Sequence, residues 1–107
     1  MEEILAQAGE LGRLIKNSEI YKNFIRMSEF LHADGEAVKI LNDYASFSKE
    51  IKDRQDRGDI VEKFEIEHVR GLADIVSEHE VIMKYMKAQK EYLELLYRIQ
   101  GEISDFE

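Results

Sequence analysis

The sequence predicts an all-α protein, a helical bundle of about five helices with a long C-terminal helix, oligomerising through that last element. Three observations predict it. None of the 107 residues is proline, so nothing obliges the backbone to break a helix. Apolar residues recur at helical rather than strand spacing along almost the whole chain. The final stretch alternates three- and four-residue steps without interruption, which is the a/d pattern of a helix that lies along a partner. At this length a single helical domain, residues 1–107, is expected.

Each element follows from its own residues. Ile4, Ala8, Leu11 and Ile15 share one helical face and predict a first helix from about Glu2 to Lys16, ended by Asn17-Ser18. Ser18 can accept a backbone N–H as the N-cap of the second helix, and Glu19 suits that helix's positive end. Ile20, Phe24, Met27 and Leu31 form its stripe, to about Ala33. Asp34-Gly35 supplies a turn and a candidate cap, after which Val38, Leu41, Ala45, Ser48 and Ile51 carry a third helix into the charged run Lys49 to Arg57. Gly58-Asp59 is the clearest internal break. Val61, Phe64, His68, Leu72 and Ile75 line a fourth helix, and Ser77 is the candidate cap of the fifth. Ile82, Tyr85, Gln89, Tyr92, Leu96, Ile99, Ile103 and Phe106 make the seam of that last helix, from about His79 to Phe106. At ~1.5 Å per residue it is roughly 40 Å long and needs an equally long covering surface.

Composition excludes several functions. Fifteen Lys and Arg against 23 Asp and Glu give a net charge of −8, which argues against a direct grip on nucleic-acid phosphates and towards protein partners. Without cysteine there is no disulfide, no thiolate nucleophile and no Cys-ligated zinc or iron-sulfur cluster. A membrane span needs ~20 apolar residues, no uninterrupted apolar run approaches that, and the Met-Glu-Glu start lacks the form of a secretory signal. The expected location is cytoplasmic, away from membranes. Although 36% of the residues are charged, 44% are apolar and periodically placed, so a packed fold is expected rather than disorder.

Leu11-Gly12-x-x-Ile15-x-x-Ser18-x-x-Tyr21, the polar helix with Gln55-x-x-Gly58, and Val81-x-x-x-Tyr85-x-x-Ala88 leading into Leu96-x-x-Ile99-x-x-x-Ile103 carry a resemblance. Over about Ile4 to Ile103 the chain resembles the YlbF/YmcA family of small bacterial helical proteins. The motifs are mostly packing and capping residues, so they speak to a fold more than to an activity. The resemblance implies a cytoplasmic, oligomerising, non-enzymatic protein. It also implies regulators of competence, biofilm formation and sporulation, which assemble with one another and a third protein to modulate a phosphorelay and an endoribonuclease of mRNA maturation. Some such members supply cysteines to iron-sulfur clusters; this chain has none, so the cluster-dependent role is not implied and no cofactor is expected.

The interface candidates are Ile82, Tyr85, Gln89, Tyr92, Leu96 and Ile99 in the seam, where two tyrosines flank a polar a-position residue that can fix register. Periodicity alone leaves open whether the covering helix belongs to the same chain; the family resemblance favours another copy or another family member. An alternative function is a metal-binding carboxylate bundle, for which Glu-x-x-His pairs are the signature. Of the two such pairs, Glu29 projects away from its helix's apolar stripe, so Glu29/His32 is the poorer one. Glu65 and His68 fall on the stripe and are the metal candidates, although contact with a polar partner explains them more simply. Within Lys49 to Arg57, the spacings Lys49-Asp53-Arg57 and Glu50-Arg54 suggest charges paired along one helix rather than a basic patch for RNA. His79 is expected at an exposed helix start. Gly9 and Gly12 are read as close helix packing or simple tolerance. No nucleophile motif, phosphate loop or HExxH helix is present, so catalysis has no positive support.

Overall fold

The computed structural model describes residues 1–104. They form five α-helices and, among the described residues, no strand: α1 (Glu2–Lys16), α2 (Glu19–Ala33), α3 (Gly35–Asp56), α4 (Lys63–Glu78) and α5 (Glu80–Ser104). The expected all-α architecture of five helices, the last the longest, is therefore present. Phe106, the final member of the predicted seam, lies outside the described residues.

Local chemistry sets most boundaries. Ser18 Oγ accepts the Tyr21 N–H at 3.2 Å and donates to the Ile15 carbonyl at 2.6 Å, so one hydroxyl closes α1 and opens α2. Asp34 Oδ1 accepts the Ala37 N–H at 3.1 Å and caps α3. The chain leaves α3 through Gly58, whose φ of +81° lies in the left-handed region that a side chain disfavours. Here α4 begins later than the apolar stripe suggests: Val61 precedes the helix, and the Glu62 N–H is held by Glu65 Oε2 at 2.9 Å, one arm of a capping box.

Two expectations fail near the last junction. Ser77 does not cap α5; it sits in the last turn of α4, where its Oγ donates to the Asp74 carbonyl at 2.8 Å. The break is one residue, His79, in extended conformation (φ −81°, ψ 117°). Nor is His79 an exposed helix start. Only 19% of its side chain is accessible, Nε2 lies 4.0 Å from Asp34 Oδ2, and Nδ1 is buried without a hydrogen-bond partner.

The chain divides into two compact units. Residues 1–29 and the stretch from Tyr85 onward form one; residues 30–84 form the other. In the second unit Leu31, Ala37, Val76 and Ile82 are buried, and α3 and α4 make an antiparallel hairpin. In the first unit Ala88 is buried, and Phe24 of α2 stacks on Tyr92 of α5 with ring centroids 5.1 Å apart and planes 14° apart. Gly9 and Gly12 face open space, with nothing within 4 Å of an added Cβ, so tolerance rather than close packing accounts for them within the protomer.

Candidate functional site

In the first unit the predicted seam is laid out along one continuous helix. Its aromatic members are met by α2 of the same chain: Tyr92 stacks on Phe24 and meets Tyr21 edge-on at 5.5 Å, and Tyr85 lies 5.8 Å from Phe24. Gln89, Leu96 and Ile99 are half-buried, as are the two tyrosines. Ile82, in the second unit, is completely covered within the protomer, which makes it a core residue and leaves it no surface to offer a partner.

Two helix faces carry exposed apolar residues, and sequence periodicity missed the first of them. On α5, Met83, Met86, Leu93 and Tyr97 make a second apolar stripe, rotated by about 100° from the seam and displaced from it by one residue. Its steps of three, seven and four residues were a readable signal, masked by the cleaner seam beside it. The other face is α1. The periodic face expected from Ile4 to Ile15 exists, but no residue of this 15-residue helix is buried. Ile4 is 73% exposed, Leu5 62% and Leu14 58%.

In the second unit the hairpin of α3 and α4 frames a cleft of about 490 Å³. Its walls bring together both metal candidates, Glu65 and His68, with part of the charged run, Glu50, Ile51 and Arg54. The pairing expected along that run is not formed: among the described residues neither Glu50-Arg54 nor Lys49-Asp53-Arg57 comes within ion-pair distance. Arg54 reaches across the hairpin instead. Its Nη1 donates to Glu65 Oε1 at 2.7 Å and its Nη2 to the Ile60 carbonyl at 3.0 Å, while Arg57 pairs with Asp59 at 3.3 Å. The connection between the two helices is thus tied down by guanidinium groups, whose fixed donor geometry suits that work.

Electrostatics follow from these bonds. The hydrogen bond from Arg54, aided by the Glu62 N–H, holds the Glu65 carboxyl below the usual carboxylate range; the same bond raises Arg54 against the opposing cost of desolvation. Both Glu65 oxygens are engaged, Oε1 by Arg54 and Oε2 by the Glu62 N–H. His68 is exposed, its ring edge-on to Phe47 with centroids 4.8 Å apart and planes 86° apart. A cation at Glu65 would have to displace a guanidinium already in place. Among the described residues no group of three or more His, Cys, Asp or Glu is placed to hold a metal ion. Glu29 and His32, the other pair, are both on the exposed surface of α2.

A small all-α protein with exposed apolar helix faces and an aromatic cleft is what these features define. The chain belongs to the family described as control of competence regulator ComK, YlbF/YmcA, whose sequence profile matches residues 4–105. It is 28% identical to a UPF0342 protein of Alkalihalophilus pseudofirmus over 90 residues, which cover 84% of this chain and 76% of that protein. Its fold is similar to that of a chain in the crystal structure of Bacillus subtilis RicA in complex with RicF, with a TM-score of 0.78 and 18% identity over 95% of this chain and 90% of that one. It is also similar to a DUF964 protein of unknown function from Bacillus stearothermophilus, with a TM-score of 0.76 and 18% identity over 96% and 90% of the two chains. At such identities the two structures speak to the fold alone. The family's description is a regulatory one. No helix among the described residues is long and apolar enough to cross a membrane.

Proposed function

We propose that this chain is a non-enzymatic, cytoplasmic regulatory adaptor that acts by self-association and by presenting helical surfaces to other members of its family or of a regulatory complex. The observation that carries the reading is α1: an amphipathic helix of 15 residues with no buried residue in its own protomer. Leu11 and Ile15 are half-buried, whereas Ile4, Leu5 and Leu14 stay exposed. A helix that short is marginal alone in water and draws its stability from packing apolar residues, so those left exposed call for cover from another chain. The apolar residues toward the end of α5, Tyr97 and Ile103, are uncovered in the same unit. The regulatory description of the family supports the same reading, as does the occurrence of a similar fold in a complex of RicA with RicF.

Assembly in this reading uses Tyr85, Gln89, Tyr92, Leu96 and Ile99; Ile82, the sixth residue expected there, is covered within the protomer. A few apolar anchors supply affinity, and the acidic surroundings supply specificity. The test is sedimentation equilibrium of the purified chain beside a Leu96→Asp, Ile99→Asp double variant. Dissociation of the variant, with its helical circular dichroism retained, is the expected result. A monomeric parent chain, or an unchanged mass in the variant, would refute assembly through α5.

A further inference from the structure

The cleft between α3 and α4 has a character that self-association through α1 and α5 does not use. Two of its walls are phenylalanines with large exposed areas, Phe64 at 68% and Phe47 at 41%. Exposed aromatic rings beside a cavity of about 490 Å³ are the form of an anchor pocket, since buried aromatic contacts and the pockets they fill dominate interface energetics. Ile51 adds an aliphatic side chain to the lining, and the His68 ring stands at right angles to that of Phe47.

The charges of the cleft decide what kind of side chain enters. Arg54 gives one Nη1 N–H to Glu65 and one Nη2 N–H to the Ile60 carbonyl, and its charge is offset by the Glu65 carboxylate. Glu65 has both oxygens engaged. The remaining carboxylate of the lining is Glu50, which is exposed, makes no ion pair within 4.0 Å among the described residues, and acts on Arg54 only at longer range. One positive and two negative groups leave the cleft with a net negative charge. An anion entering it would face Glu50 and a guanidinium already neutralised. A cation would meet the Glu50 carboxylate and two exposed phenylalanine rings, a residue type that attracts cations over its face.

We propose that the cleft formed by Phe47, Glu50, Ile51, Phe64 and His68 is a docking site for a basic amphipathic helix of a protein partner, one Lys or Arg side chain lying along the phenylalanines with its charged end at Glu50. Such a side chain suits the cleft because its methylene stem buries against apolar walls while its head keeps a polar contact. Helix-in-groove recognition supplies the remaining anchors from residues three and four positions away on the partner. The inference rests on the adaptor reading, because it names the chemistry of one partner. It can fail while self-association stands.

The test uses the 107-residue chain, which has no tryptophan, so a single Trp placed in a synthetic peptide reports binding by fluorescence. The probe is a helical peptide of about 18 residues built from Lys, Leu and Ala, long enough to be helical on binding; its counterpart carries Glu for every Lys. Binding of the basic peptide alone is expected, with amide resonances of Phe47, Glu50, Phe64 and His68 perturbed in an NMR titration. Because the chain carries a net charge of −8, a basic peptide could bind anywhere by charge, so Glu50→Lys is compared with Glu94→Lys, the same charge change at an exposed site on α5. Glu50→Lys and Phe64→Ala should each weaken binding roughly tenfold or more, and Glu94→Lys should not. Equal losses in the two lysine variants, no loss in Phe64→Ala, equal binding of the acidic peptide, or no binding at about 1 mM would overturn the proposal. So would tighter binding of a single-stranded RNA with the same variant dependence. Sedimentation of the parent chain, measured in parallel, reports on self-association separately.

Discussion

Replacing Ile4 and Leu5 together by Glu isolates the contribution of a face that the protomer leaves open. The two side chains are 73% and 62% exposed, and both sit in the first turn and a half of α1, where Glu2 and Glu3 already favour the positive helix end. Within one protomer the change is therefore close to neutral: little buried area is lost, and added acidic groups near a helix start are not unfavourable. Within an assembly it is costly. Fully burying an Ile or Leu side chain contributes about 1.5–3 kcal/mol, and roughly two-thirds of each side chain remains to be covered, so each contributes about 1–2 kcal/mol on association and the pair about 2–4. At about 1.4 kcal/mol per tenfold, the pair weakens association by roughly 30-fold to 1,000-fold for each copy of the face buried. Sedimentation velocity across a concentration series reads this directly, as a shift of the association midpoint to higher concentration. Thermal unfolding at low and high protein concentration provides the check, because an interface effect depends on concentration and an intraprotomer effect does not. An association midpoint that does not move, or an equal drop in melting temperature at both concentrations, would refute the claim that another chain covers α1.

Further outcomes follow from single contacts. Ile82→Ala should cost about 2–5 kcal/mol, because the side chain is fully covered and its removal leaves a cavity. That loss should be the same at all protein concentrations; a concentration-dependent loss would place Ile82 at an interface. Asp34→Ala removes the N-cap acceptor of the Ala37 N–H, at a cost of about 1 kcal/mol. For a domain of this size that corresponds to a fall of about 4–8 °C in melting temperature, and no change would show that the cap is silent. Glu65 gives a pH dependence. Its carboxyl is held below the ordinary range in the folded chain, so its contribution is present above the unfolded-state pKa and is lost as pH falls through the folded one. The melting temperatures of the parent and of Glu65→Gln should therefore differ most near neutrality and converge in acid. A gap that stays constant down to strongly acidic pH would mean that the pair with Arg54 adds nothing that ionisation controls.

The helices were legible because their signals are local. Asp34 and Ser18 cap the helices that a reading of side-chain chemistry assigns to them, and Gly58 takes the left-handed conformation at the break where glycine and aspartate stand together. The misses have physical causes too. Ser77 had two hydrogen-bonding options: to open α5 or to bond back to a carbonyl one turn earlier within α4. The second prevailed, at Asp74. The charged run admits the same double reading. Spacings of four residues promised pairs within α3, but Arg54 is long enough to cross to α4, where Glu65 and the Ile60 carbonyl offer its guanidinium two acceptors. Sequence spacing lists the partners one helix offers; it is silent about those brought in by a hairpin.

The candidate site was legible only in pieces for the same reason. Glu65 and His68 stood out as a pair at metal-ligand spacing, and they do line one cleft. What they do there is set by a third residue eleven positions away, Arg54, which takes the carboxylate, and by Phe47, whose ring stands at right angles to the imidazole. Their joint product is a preformed aromatic cleft whose strongest internal charges are already spent on one another, leaving Glu50 to select what enters. The seam on α5 obeys the same limit from the other side. A heptad pattern states that a helix face is to be covered and says nothing about which chain covers it. Phe24 and Tyr21 meet its tyrosines from the same chain, while the need for cover that periodicity placed on α5 falls most heavily on α1. An apolar stripe in a sequence is a demand for burial, and only the packed protomer shows which demands it has met and which it passes to a neighbour.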